Sequence, residues 1–338
     1  MQSERLAARR RQSRIGGRQG QTRLAVGLLG VCLLAVALLG TACAGVKDAS
    51  SSGTALAATG APIRDHVTPE EVRIVVSRDF GATTLRDARL PREAGMTVMR
   101  ALAGVADVET AYGGGFVAAI DGVKSPRAAA GDPQDWFFWV DGRMAEVGAG
   151  DYRVKGGETI WWDYHPWRGA AYIPVVVQAW PAPWRARPLT LHAQEAAGPV
   201  ADWAPSVGLT VAQRLPLTDR PTGPALVAAT VSEAEQCEWL RDLLGDGPEA
   251  GIFVTVDGGT LRALDHWGGN AGELSAALIG ALDPQAGQDA WLVLLGQDAA
   301  SLAALMERLA AGVPGDFVGI GMRDGAIVRL PEEPEGQD

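Results

Sequence analysis

The chain has 338 residues, 47% of them hydrophobic and 21% charged, with a net charge of −10. Seven arginines and one glutamate give residues 1–42 a charge of +6, which leaves the remainder at −16. A body so acidic repels phosphate backbones and argues against a nucleic-acid partner. Cys32, Cys43 and Cys237 are the cysteines. The first two belong to an apolar leader, so Cys237 stands alone as a small buried hydrophobe and no internal disulfide is expected in the body.

The leader comes first in chain order. After Arg23 the run LAVGLLGVCLLAVALLG extends from Leu24 to Gly40, then Thr41, Ala42 and Cys43 follow. A basic segment, an apolar segment and small residues before a cut site make an export signal. The pattern resembles bacterial lipoprotein signals, in which Ala42 precedes a lipidated Cys43. It departs from them at Gly40, where they usually carry Leu. Leu24 to Val46 is also long enough for an uncleaved anchor helix, since about 20 apolar residues span a bilayer. Cleavage with release is the third outcome. Each places the body outside the cytoplasm, because the arginines hold the N-terminus inside. The expectation is an extracytoplasmic protein anchored to the cell membrane by lipid or by helix. Its leader covers 1–43, and 44–67, small and polar, is a flexible tether.

A first domain is expected over 68–168, within a body of about 290 residues that has room for two domains. VRIVVS, Val72 to Ser77, reads as a strand. Met96 to Val105 carries Val98, Met99, Leu102 and Val105 at helical spacing. GFVAAIDG, Gly115 to Gly122, reads as a strand ending in a turn. Trp136 to Val140 and Thr159 to Tyr164 are aromatic strands, the first followed by an Asp141-Gly142 hairpin turn. Strands around one helix predict an α+β sheet with the helix on one face.

These residues carry a family resemblance. Thr97, Val98, Ala101 and Leu102, then GGGF to IDG, WFFWVDG, VGA, a Tyr, GGE and IWWDY fall in one order. That order resembles the transcobalamin C-terminal-like domain of bacterial surface proteins, the DUF4430 group, over about 100 residues. Gly156 departs from the pattern, which usually has Asp there. The resemblance implies a β-grasp-like fold and capture of a soluble ligand. Cobalamin is then a candidate ligand, although fold does not fix function.

Alternation sorts the aromatics. Trp136, Phe138 and Val140 share one face of their strand, and Phe137 and Trp139 the other. Trp162 and Tyr164 likewise oppose Trp161 and Asp163. The resemblance assigns Trp136, Phe138, Val140, Trp162 and Tyr164 to the core. The expected ligand surface is then Phe137, Trp139, Trp161 and Trp167, joined by the loop Tyr112, Gly113, Gly114 and Phe116, whose glycines let a ligand approach the backbone. The alternative is that this second face packs on a neighbouring domain.

A second domain, 171–330, is expected to be mixed α/β of unknown topology. Strands are expected at Tyr172–Ala179, Ala225–Thr230, Ile252–Val256, Thr260–Leu264, Trp291–Leu295, Phe317–Ile320 and Ala326–Arg329. Helices are expected at Glu233–Leu244, Glu273–Leu282 and Ala299–Ala310. The acidic end 331–338 reads as a disordered tail.

Catalytic patterns are missing: no G-x-S-x-G elbow, no H-E-x-x-H and no Walker loop. His66, His165, His192 and His266 lack zinc-ligand spacing, so no metal site is expected. His165 reads as a solvated histidine at a strand end. The sequence therefore suggests a non-enzymatic, membrane-tethered binding protein that requires no cofactor. It would take a small soluble ligand, with a membrane transporter as a partner. The alternative is a cell-surface interaction protein that docks a polymer or another protein.

Overall fold

Val72, Ile74 and Val76 alternate with Arg73, Val75 and Ser77 along β1 (Glu71–Arg78), and all six are buried. A strand buried on both faces needs a layer on each side, and that requirement organises the molecule. The computed structural model describes residues 67–124, 133–282, 289–313 and 316–333. The expected leader, Cys43, the tether through residue 66 and the tail beyond Glu333 lie outside the described residues. Those that are described fall within one compact unit, Ala58–Asp338.

The first half of this unit is an α+β sheet. β1 forms a hairpin with β2 (Thr83–Pro91), and α1 (Val98–Ala103) follows, capped by the Thr97 side chain accepting from Arg100 N–H at 3.2 Å. A side hairpin, β3 (Val108–Ala111) and β4 (Phe116–Ile120), precedes β5 (Gln134–Val140), β6 (Arg143–Met144) and β7 (Thr159–Pro166). The last strand inserts parallel beside β1, giving the order β2-β1-β7-β5-β6. That is the β-grasp arrangement. Its helix side is closed by Val98, Ala101 and Leu102 over Ile74, Val76, Trp136, Ile160, Trp162 and Tyr164.

The second half centres on a seven-stranded sheet. A short helix, α2 (Ala182–Arg185), leads to β8 (Leu189–Ala193), α3 (Ala197–Trp203), β9 (Val211–Leu215) and β10 (Ala225–Thr230). Then come α4 (Val231–Gln236), α5 (Glu238–Gly245) and a three-stranded sheet of β11 (Val254–Asp257), β12 (Thr260–Leu264) and β13 (Asn270–Glu273). β14 (Ala276–Leu282), β15 (Ala290–Gly296), α6 (Ala299–Ala310), β16 (Gly319–Arg323) and β17 (Ala326–Leu330) complete it. The order is β17-β16-β14-β15-β10-β8-β9. β9, β8, β10 and β15 run parallel, and β14, β16 and β17 pair antiparallel beyond them. Val200 of α3 and Leu302, Leu305 and Leu309 of α6 belong to the core on one face. Leu240 and Leu243 of α5 join the core on the other, which also takes in Val75, Trp139 and Trp161 of the β-grasp sheet.

Several sequence expectations change here. Glu273–Leu282 is not a helix: its last seven residues form β14, buried between β15 and β16. Tyr172–Ala179 forms no continuous strand. Its backbone serves both sheets instead, donating from Val176 to Gly142 O and from Val177 to Val318 O. The helix expected over Glu233–Leu244 breaks at Cys237, which sits in extended backbone between α4 and α5. Cys237 is buried and free, as expected. The acidic end is tied down as far as Glu333. Glu332 pairs with Arg323, and Glu333 Oε2 lies 2.6 Å from His266 Nδ1.

Candidate functional site

The seam between the two sheets and the outlying β3–β4 hairpin divide the expected ligand residues between them. In register, β7 lies between β1 and β5, so Trp161 pairs with Val75 and Trp139, and Asp163 pairs with Ser77 and Phe137. All of these point away from α1, as alternation requires. Trp139 and Trp161 are fully buried, 4.9 Å apart between ring centres. Trp139 Nε1 donates to Ile173 O at 2.7 Å, and Trp161 Nε1 donates to Ser77 Oγ at 2.7 Å. Both indoles are therefore satisfied within the protein, and no ligand can stack on them while the seam is closed. Phe137 is half-buried against the same core, and Trp167 is half-buried beyond the end of β7. The expected aromatic platform is thus corrected: the face is covered by the second half of the chain. Two indoles buried there supply about 4–5 kcal/mol each of gross hydrophobic stabilisation.

Asp163 anchors one end of this seam. Its carboxylate accepts from Ser77 Oγ at 2.5 Å, from the Phe80 and Gly81 N–H groups at 2.9 Å each, and from His165 Nδ1 at 2.9 Å. A fully buried carboxylate holds its place because it is so bonded. His165 is 1% exposed, against the sequence expectation of a solvated ring. It stacks on Phe80 at 4.5 Å and Phe137 at 4.6 Å, and its Nε2 has no hydrogen-bond partner among the described residues. Carboxylate oxygens only accept, so the imidazole proton sits on Nδ1. Ser, Asp and His are all present, but the carboxylate stands in the middle. A nucleophilic serine needs an imidazole on its hydroxyl, whereas the Ser77 hydroxyl meets Asp163 and Trp161. The cluster acts as a clamp that fixes the Phe80 turn. His266 approaches Phe80 from the other half at 6.0 Å. The sequence signal for the clamp was a carboxylate set inside an aromatic run, WWDYH.

Further charges sit along the seam. Arg73 is buried and forks onto Asp87 at 2.9 and 2.6 Å, with Asp316 4.0 Å away. Burial raises the Asp135 carboxyl, partly offset by a hydrogen bond from the Trp167 side chain. At the opposite end of β5, burial pushes Asp141 up to about 6, although it accepts from Thr159 N–H at 2.8 Å.

The remaining expected residues lie on the other side of the β-grasp sheet. Val117 and Ile120 of β4 belong to the core under α1, so the hairpin tip stands apart from the seam. Tyr112 is 92% exposed at φ 51°, and its ring meets Phe116 edge-on at 6.0 Å. Gly113 and Gly114 between them hold φ of 75° and 94°. The structure therefore keeps Tyr112, Gly113, Gly114 and Phe116 together and separates them from Phe137, Trp139, Trp161 and Trp167.

The second half has the topology in which α/β proteins often bind ligands. The connections after β8 and β10 lead to opposite sides, which makes a switch point at their carboxyl ends. Glu233 closes it, accepting from Glu195 N–H at 3.1 Å and from Thr230 N–H at 2.7 Å. Among the described residues no group of three or more His, Cys, Asp or Glu could hold a metal.

Residues 95–166 match the family model DUF4430, a domain of unknown function. The match runs from the turn before α1 to the end of β7. Among solved structures the chain is similar to a protein of Ruminococcus gnavus ATCC 29149 described as a "putative metal binding protein". The two share 16% identity and a TM-score of 0.24, over 28% of this chain and 95% of that one. No curated protein matches the chain.

Proposed function

We propose that the chain is a membrane-tethered extracytoplasmic binding protein whose ligand stacks on the Tyr112–Phe116 hairpin tip. The observation that carries this reading is a 92% exposed tyrosine held edge-on to a second aromatic ring, clear of both cores. Exposed aromatic surface of this kind marks interaction sites. The tip is open, so it suits one ring of an extended surface polymer better than a cofactor enclosed on all sides. A cobalamin-like ligand handed to an importer is the second member of the same class, and it rests on the resemblance of residues 68–168 to the transcobalamin C-terminal-like domain. Anchoring through Cys43 supplies the tether.

The test is calorimetric titration of the full-length chain in detergent with soluble oligosaccharides and with cyanocobalamin. Tyr112→Ala should weaken binding by about 1–3 kcal/mol while leaving the melting temperature unchanged. If Tyr112→Ala and Phe116→Ala both bind like the parent, the tip is not the site. Tight binding of cyanocobalamin alone would replace the polymer reading with the cofactor one.

A further inference from the structure

The last described residues, 331–333, run from the end of β17 across the turn between β12 and β13. Glu332 N–H donates to Leu264 O at 3.1 Å. The Glu332 carboxylate accepts from Arg323 Nη1 at 2.6 Å and Nη2 at 2.7 Å, and the same guanidinium donates to Glu273 O and Ala271 O of β13. Glu333 grips the turn itself, accepting from His266 N–H at 3.2 Å and from His266 Nδ1 at 2.6 Å. That turn bears on the seam. A Cβ on Gly169, in the chain leaving β7, would lie 2.8 Å from His266 O. The His266 ring faces Phe80 at 6.0 Å, and Phe80 in turn stacks on His165 at 4.5 Å. From the surface inward the order is therefore Glu333, His266, Phe80, His165. Exposure falls along it, from a partly exposed carboxylate to two rings that are each 1% exposed.

We propose that residues 331–333 are a latch. While Glu333 holds His266, the turn covers Phe80; once the strap lets go, the turn lifts and the Phe80 ring swings aside, uncovering His165. Segments held by hydrogen bonds near the surface open locally at lower free energy than packed cores do. The strap is such a segment, since its grip on the turn consists of polar bonds to two carboxylates. The atom behind it favours the open state. His165 Nε2 is buried without a hydrogen-bond partner among the described residues. A buried acceptor left in that condition is destabilising, and opening relieves the cost. Nδ1 holds the proton against Asp163, so Nε2 accepts: it takes water, or an N–H or O–H group of a ligand. The Trp139–Trp161 packing stays out of this motion. Trp139 is held by Ile173 O and Trp161 by Ser77 Oγ, so the opening is confined to one end of the seam.

The experiment is hydrogen–deuterium exchange at the imidazole Cε1 positions, followed by mass spectrometry on the full-length chain in detergent. It compares the parent with Glu333→Ala and with a chain ending at Pro331. His192, buried in β8 away from the strap, is the internal control. We expect His165 to exchange about tenfold faster or more in the shortened chain, because the charge-assisted bonds of both carboxylates are gone. Glu333→Ala, which leaves the Glu332–Arg323 pair in place, should accelerate His165 about threefold to tenfold. His192 should exchange at the parent's rate in both. The Glu333→Ala comparison stands on its own if the shortened chain does not fold. An unchanged His165 rate in Glu333→Ala overturns the latch. So does equal acceleration of His165 and His192, which would mean a general loosening of the fold. Acceleration of His266 alone overturns it as well, by showing that the turn lifts without uncovering His165.

Discussion

Trp139 and Trp162 occupy opposite faces of one sheet, and both are buried. Alternation along WFFWV identified which side chains share a face. It could not identify what covers that face, because the cover comes from residues far along the chain, from Ile173 to Leu240 and Phe253. From the sequence, Trp139 was expected on a ligand surface, so that its loss would cost less stability than the loss of Trp162. Trp162→Ala and Trp139→Ala should instead each cost about 3–5 kcal/mol in a denaturant melt, the range for emptying a large aromatic site. A loss under about 1 kcal/mol for Trp139→Ala would show that the seam is not packed as described. Asp141 makes a pH-dependent contribution. Burial raises its carboxyl from 3.8 to about 6, so the folded chain holds this proton more tightly than the unfolded chain. Stability from this group therefore falls as pH rises from 4 through 6 and stays reduced above that. Asp141→Asn keeps an acceptor for Thr159 N–H and suits the local φ of 47°. It should stabilise the protein by about 1–3 kcal/mol at pH 8 and by almost nothing at pH 4. An equal effect at both pH values would remove the carboxyl's charge as the cause.

Among the elements, α6 and the aromatic strands were legible because their periods are strong and their ends are marked. Asp298 caps α6, accepting from Ser301 N–H at 2.8 Å. β14 was illegible for a physical reason. Five of the seven residues of AALIGAL are alanine or leucine, both good helix formers, and it is a strand because β15 and β16 bond it on both sides. β2 was missed because an edge strand that is mostly polar gives no alternating apolar signal. Gly156, the one departure from the family pattern, has its explanation in packing. A Cβ there would lie 1.6 Å from Pro69 O, where the chain enters β1. Gly156→Asp, although it restores the usual family residue, should therefore destabilise the fold by about 2 kcal/mol or more. A melting temperature equal to the parent's would show that the Pro69 segment moves aside freely.

At the scale of the whole molecule, one core holds Val75, Trp139 and Trp161 together with Leu240, Phe253 and Val293, so neither half can lose its packing alone. Unfolding followed by far-UV dichroism and by tryptophan emission should give coincident curves with a single midpoint. Two separated transitions would mean that the halves are independent. The β-grasp half of this arrangement was legible through its motifs. In the second half the strands Ala225–Thr230 and Trp291–Leu295 were legible but their order in the sheet was not, since parallel strands such as ALVAAT and WLVLLG read alike from either face. The seam also carries an optical property. Trp139 and Trp161 face each other at 4.9 Å with an interplanar angle of 32°. Indole transition dipoles that close and that skewed couple as an exciton pair, which splits their shared absorption into a signed couplet in the dichroism spectrum. That couplet exists only while the two rings keep their mutual geometry. The molecule thus contains its own reporter of whether β5 and β7 keep their pairing at the heart of the seam, readable without any label.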